Sequence, residues 1–233
     1  MPPDSGPDHR TAILRRMQNK LVEQFGRVVE ADDTRRDPMW TLVQGVIGAR
    51  AKTAVSNDNT DRLIAAYGSW ERVAEAPIEE LRDQLQTATF PAMAAERLKA
   101  CLNAIIAQCG KASLDHLESM DTADAMDWLE TLPGIARKIS AGIMNTSHFN
   151  RKALVLDSGH RRVVQRMGLV RPKADARRAY DELMPVIPPE WTAEDLDEHH
   201  MLGKRLAQTF CRPKRPNCSS CPVRVDCETG SAS

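Results

Sequence analysis

Apolar residues recur along this chain at three- and four-residue steps, and no stretch shows the two-residue alternation of a half-buried strand. From Thr11 to Val29 they fall at Ile13, Leu14, Met17, Leu21, Val22 and Phe25, which predicts a long amphipathic first helix. Trp40 to Ala51 predicts a second helix, apolar over much of its surface and therefore buried. Short helices are expected at Asn59 to Tyr67, Ser69 to Ala74 and Ile78 to Leu85. A longer one runs from Pro91, which a first turn tolerates, to Cys109, where Gly110 stops it. Asp121 or Thr122 caps a helix through Leu129, and Asp157 or Ser158 caps one to Met167. Ala174 to Met184 and Ala193 to Thr209 complete an all-α pattern without internal repeats. Arg35-Arg36-Asp37-Pro38 reads as a linker, because proline disfavours a helical conformation in the residue before it. Met1 to Arg10 is polar and reads as a disordered tail.

Composition narrows this picture. The chain has 233 residues, 42% of them hydrophobic, enough for one large or two small domains. No apolar run approaches the roughly 18 to 20 residues of a membrane span, and the first ten residues lack a secretory or transit pattern. A protein of the cytoplasm, away from membranes, is expected. A formal net charge of +0 argues against a uniformly basic nucleic-acid binder. The distribution changes that: Gly134 to Arg178 holds eleven basic residues against Asp157 and Asp175, so this window is +9 and the remainder −9. Such asymmetry can build one basic face for a polyanion.

Chemistry is suggested at three places. In Leu132-Pro133-Gly134-Ile135-Ala136-Arg137-Lys138, Gly134 permits a sharp turn, and the amides beyond it can meet a phosphate at a helix N-terminus. Lys138 stands on the first turn of that helix, whose positive end disfavours the ammonium form and suits a Schiff-base nucleophile. Asp157 follows nineteen residues later, after the apolar run Ala153 to Leu156, as a half-buried carboxylate at a helix start. Finally, Cys211, Cys218, Cys221 and Cys227 are separated by six, two and five residues, so one 17-residue loop can wrap one centre. Zinc sites more often pair two Cys-x-x-Cys knuckles; the single pair here favours an iron–sulfur cluster, with zinc open on residue chemistry alone. Cys101 and Cys109 sit on an apolar helical segment and read as core.

With those residues the chain resembles the helix-hairpin-helix DNA glycosylases that carry an iron–sulfur loop, the endonuclease III type, over about Pro38 to Cys227. The resemblance implies an all-α fold of two helical domains flanking a DNA-binding cleft. A six-helix domain with the hairpin would span 37–152, and 11–36 would join 153–233 in a domain holding a [4Fe-4S] cluster on the four cysteines. It implies base excision repair of damaged double-stranded DNA by a monomer, nucleoid-associated if bacterial. Lys138 would attack C1′ of a flipped nucleotide, Asp157 would assist, and β-elimination would cleave the strand at the abasic site. The damaged base would be a pyrimidine. DNA contacts are expected from Gly134, Ala136, Arg137, Arg50, Phe90, Arg162 and the basic loop residues Arg212, Lys214 and Arg215. The chain departs from the family pattern at Ala136, where the hairpin usually has a second glycine, and at Arg50, where a glutamine usually fills the gap left by the base. Phe90 stands at the place of an intercalating leucine, and Ser158-Gly159-His160 replaces a threonine-histidine pair. Two alternatives are a monofunctional glycosylase, in which Asp157 supports attack by water, and a non-catalytic metal-stabilised DNA-binding module.

Overall fold

The computed structural model describes residues 6–29 and 35–231. Among these there are twelve α-helices and no strand, only one isolated bridge between Arg36 and Ser147. The chain divides into two compact units, one formed by 1–33 with 152–233 and the other by 34–151.

In the first unit, α1 (Pro7–Phe25) begins four residues before the expected start, because Pro7 occupies the first turn, where its missing N–H costs nothing. Of the expected tail, residues 1–5 lie outside the described residues, and the rest leads into or forms helix. Arg10 on that helix donates to the carbonyls of Leu169 and Glu182, and Thr11 to that of Val186. Three bonds across more than 150 residues explain why the N-terminal helix belongs with the C-terminal part. The rest of the unit is α9 (Ser158–Arg166), α10 (Ala176–Leu183), α11 (Ala193–Thr209) and the short α12 (Glu228–Ser231). Leu14, Met17 and Leu21 of α1 bury against Val164 of α9 and Leu202 and Leu206 of α11, in one apolar cluster.

The second unit has seven α-helices, counting two of six and seven residues, where six were expected. They are α2 (Pro38–Ile47), α3 (Thr53–Tyr67), α4 (Trp70–Glu75), α5 (Ile78–Gln84), α6 (Pro91–Cys109), α7 (Thr122–Leu129) and α8 (Arg137–Thr146). Asp37 caps α2 by accepting from the amides of Met39 and Trp40. Leu42, Val43, Val46 and Ile47 of α2 are buried, each contributing about 1.5–3 kcal/mol. α2 lies close against α8: a Cβ on Gly45 would stand 2.8 Å from Ile139 Cγ2. That contact fixes the helix bearing Lys138. No helix among the described residues is long and apolar enough to cross a membrane.

Candidate active site and metal centre

The hairpin is held by its apolar residues. Leu132 and Ile135 are buried, the Ile135 amide donates to the Leu132 carbonyl at 3.2 Å, and Gly134 takes a φ of 83°, the left-handed region that favours glycine. Ala136 is the N-cap of α8 with extended backbone and no side-chain cap. Its carbonyl accepts from Ile139 at 2.7 Å and Ser140 at 3.1 Å, so the methyl group is accommodated without disturbing the helix start. Lys138 is exposed on the first turn.

Arg137 does not fit the DNA-contact role expected of it. It is only 7% exposed, with Nη2 3.1 Å from Asp127 Oδ1 and Nε 2.9 Å from Glu130 Oε1, while Ser140 Oγ donates to the same Glu130 oxygen. The helix turns this arginine inward, where it joins α7 to α8.

In the other unit, Ala153 to Leu156 are buried and deliver Asp157 to the head of α9. Its Oδ1 caps the helix by accepting from the His160 amide at 2.7 Å. Burial is the largest influence on this carboxyl and opposes ionisation. The His160 N–H bond and the nearby His200, His160 and Lys204 outweigh it and hold the pKa below the ordinary value. Asp157 is therefore an anion at neutral pH, both cap and charge.

Behind it lies a histidine cluster that the sequence reading missed. His160 is fully buried, its ring 5.1 Å from that of His199 and 5.8 Å from that of His200. His199 Nδ1 is 2.9 Å from Gln18 Oε1, and its ring packs 4.9 Å from Trp191. Burial pushes His160 down to about 4 and His199 well below its usual range, so these two rings are neutral. The available signal was the His199-His200 pair on the apolar face of α11, together with Gly203, where a Cβ would stand 2.6 Å from the His160 ring.

The four cysteines line one small cavity with Val163, Met167, Leu206 and Phe210. Among the described residues no three His, Cys, Asp or Glu side chains converge as a single metal ion requires. Four half-buried thiols around a shared space have the donor chemistry of a thiolate-ligated metal group, and two donors already point at sulfur. Arg166 Nη1 lies 3.3 Å from Cys211 Sγ, and the Gly230 amide 3.4 Å from Cys227 Sγ. Arg166 also donates to the carbonyls of Arg212 and Pro213 at 2.8 Å each, while its own carbonyl accepts from Thr229 Oγ1. One residue of α9 thus ties both ends of the cysteine loop, a role no sequence spacing announced.

Arg162, expected at DNA, instead donates to the carbonyls of Cys211 at 2.9 Å and Ala207 at 3.2 Å. It stands one helical turn before Arg166 and faces the same loop. Arg212, Lys214 and Arg215 are exposed. Arg50 and Phe90 are brought together: the guanidinium lies 5.8 Å from the ring centroid, with Arg50 at a φ of 58° and Thr89 Oγ1 bonded to its carbonyl.

Comparison with known proteins places this geometry. Residues 43–189 match the family described as HhH-GPD superfamily base excision DNA repair protein. Endonuclease III of Thermotoga maritima is 23% identical over 216 residues, covering 93% of this chain and 92% of that protein. Protein ROS1A of Oryza sativa is 26% identical over 194 residues, 77% of this chain, but the chain spans only about a tenth of that relative's length. A solved structure of a trapped endonuclease III–DNA covalent intermediate superimposes with a TM-score of 0.73 at 22% identity, covering 95% of this chain and 97% of that one. The chain belongs to the HhH-GPD superfamily of base excision DNA repair proteins, as an endonuclease III-like DNA glycosylase.

Proposed function

We propose that the chain is a bifunctional glycosylase and abasic-site lyase, acting as a monomer on damaged duplex DNA. The observation that carries this is Lys138, an exposed lysine on the first turn of the hairpin helix. The assisting role falls by family resemblance to Asp157, whose carboxylate stays ionised in a half-buried setting. The base leaves the stack, since chemistry at C1′ is blocked within the duplex. As the bond from C1′ to the base breaks, positive charge grows on the sugar, and the Asp157 anion stabilises it. The Lys138 amine, once it has given up its proton, donates its electron pair to C1′, and Asp157 assists removal of a further proton from Nζ. Opening of the C1′–O4′ bond yields an iminium; loss of a C2′ proton expels the 3′ phosphate by β-elimination, and water restores the lysine.

Cys211, Cys218, Cys221 and Cys227 would hold a [4Fe-4S] cluster. The four cysteines would give their thiolates to its iron atoms, and those bonds would fix the basic loop carrying Arg212, Lys214 and Arg215. A pyrimidine lesion is the substrate that the resemblance to the endonuclease III type implies.

The test is borohydride trapping on duplexes with an abasic site, alongside a panel of oxidised, deaminated and alkylated bases. A covalent complex with the wild type and none with Lys138→Gln is expected. Asp157→Asn should lose at least a hundredfold in base release, by the scale of general acid–base contributions, while still binding DNA. Trapping undiminished in Lys138→Gln would overturn the lyase assignment, and purine lesions as the better substrates would overturn the pyrimidine one. Iron and sulfide near four of each per chain would support the cluster; bound zinc would refute it.

A further inference from the structure

Three large hydrophobic side chains stand exposed among the described residues, and two of them, Phe90 and Met93 at 41% each, lie one turn apart at the start of α6. Arg97 follows four residues later on the same face, exposed. Ala94, Ala95 and Leu98 turn the opposite way into the core. The strip is bounded at both ends by features already described. At one end the Arg50 guanidinium lies 5.8 Å from the Phe90 ring. At the other, the Arg97 stem packs on the hairpin, its Cβ and Cδ each 3.7 Å from where a side chain on Gly134 would begin. That is ordinary van der Waals distance, so it is the positive φ of Gly134, and not crowding by Arg97, that asks for glycine there.

Charge distinguishes this edge from the rest of the hairpin. Arg137, the hairpin's own arginine, is buried on Asp127 and Glu130. Arg97 and Arg50 have no carboxylate within ion-pair distance among the described residues. An apolar pair flanked by two such guanidinium groups complements one partner well: duplex DNA opened at a base step. Phenylalanine and methionine are wedge residues that unstack such a step, and arginine meets the phosphates beside it.

We propose that Phe90, Met93 and Arg97 form a single DNA-opening edge on α6. Met93 is the second half of the wedge, and Arg97 supplies the phosphate contact that Arg137 cannot make. This rests on the reading of the protein as a glycosylase of duplex DNA and adds two residues to it.

The experiment measures binding by fluorescence anisotropy to a duplex carrying a tetrahydrofuran abasic analogue and to its intact counterpart, across a salt series. Purified Arg97→Ala, Met93→Ala and wild type are compared, with melting temperatures to verify folding. Arg97→Ala should weaken binding to both duplexes by a similar factor and reduce the salt slope by about one. Met93→Ala should leave the slope and the intact-duplex affinity unchanged, while lowering the preference for the abasic duplex about fivefold or more. Wild type that binds neither duplex defeats the glycosylase reading itself. Wild type that binds, with an unchanged slope in Arg97→Ala or an unchanged preference in Met93→Ala, overturns the opening edge alone.

Discussion

Arg137→Met tests whether the hairpin arginine faces DNA or the core. The substitution keeps an apolar stem and removes a guanidinium that is 7% exposed and 2.9 Å from Glu130, itself 13% exposed at the side chain. Glu130 would be left with Ser140 Oγ as a donor 2.7 Å away. Removing one partner of a buried pair costs about 3–5 kcal/mol, because the remaining charge stays desolvated. Asp127 is 55% exposed and adds little to that figure. For a chain of this size each kcal/mol lowers the melting temperature by roughly 2–4 °C, so a fall of roughly 6–20 °C is expected. Thermal unfolding by circular dichroism measures it. Adding Glu130→Met should recover much of the loss, since two apolar residues can replace a buried pair at little cost. DNA affinity at temperatures where the variant is folded should keep its wild-type salt slope. A melting temperature within about 2 °C of wild type, together with a slope reduced by about one, would show that Arg137 contacts phosphate and refute the structural role.

Two further outcomes follow from the buried groups. The folded pKa of His160 is about 4, below its ordinary value near 6.5, so between those values the unfolded chain binds the proton and the folded one resists it. Stability should be level above about pH 7 and decline as pH falls from 6.5 towards 4, His160 alone contributing on the order of 2 kcal/mol at pH 5 and His199 adding in the same direction, read from urea midpoints; a level profile would contradict the neutral buried rings. Arg166→Met removes the donor to Cys211 Sγ and both carbonyl clamps, so the purified protein should carry less iron and lose its visible absorbance faster under oxygen. Retention equal to wild type would count against the tie.

What could be read from the sequence was what is encoded locally. The helices follow from apolar period and from glycine stops such as Gly110, whose φ of 75° needs no long-range information. The cysteine loop was equally legible because its four members lie within 17 residues. The hairpin turn was visible in Gly134, but the direction of its neighbours was not. Arg137 and Lys138 are adjacent on one helix start and about 100° apart around it, so one enters the core and the other faces outward. Nothing in their spacing distinguishes them; Asp127 and Glu130 decide it. Arg162 and Arg166 depended on carbonyls at Ala207 to Pro213, more than forty residues away, and Arg97 on a hairpin 37 residues on. The first helix began early because a proline judged by composition to be tail is also a favoured first-turn residue.

The basic window illustrates the consequence for binding. Counting eleven cations between Gly134 and Arg178 suggested one polyanion face. The fold gives six of them other work. Arg137 pairs with carboxylates of α7 and its C-terminal end, and Arg171 with Glu182. Arg151 donates to the carbonyls of Glu118 and Met120, Lys152 to that of Pro189, and Arg162 and Arg166 to the cysteine loop. Such groups are fixed by bonds inside the protein, and reaching a phosphate would mean breaking them. The other five members cap what the window can add by displacing counterions. Each phosphate neutralised adds about 0.9 to the slope of log affinity against log salt, so this window can contribute no more than about 4.5. Replacing Arg161, Lys173 and Arg178 by glutamine should therefore lower the slope, while the same change at Arg151 and Lys152 should leave it where it was. If the second pair lowers the slope as much per residue as the first three, the internal bonds do not survive in the DNA complex, and the count of eleven stands.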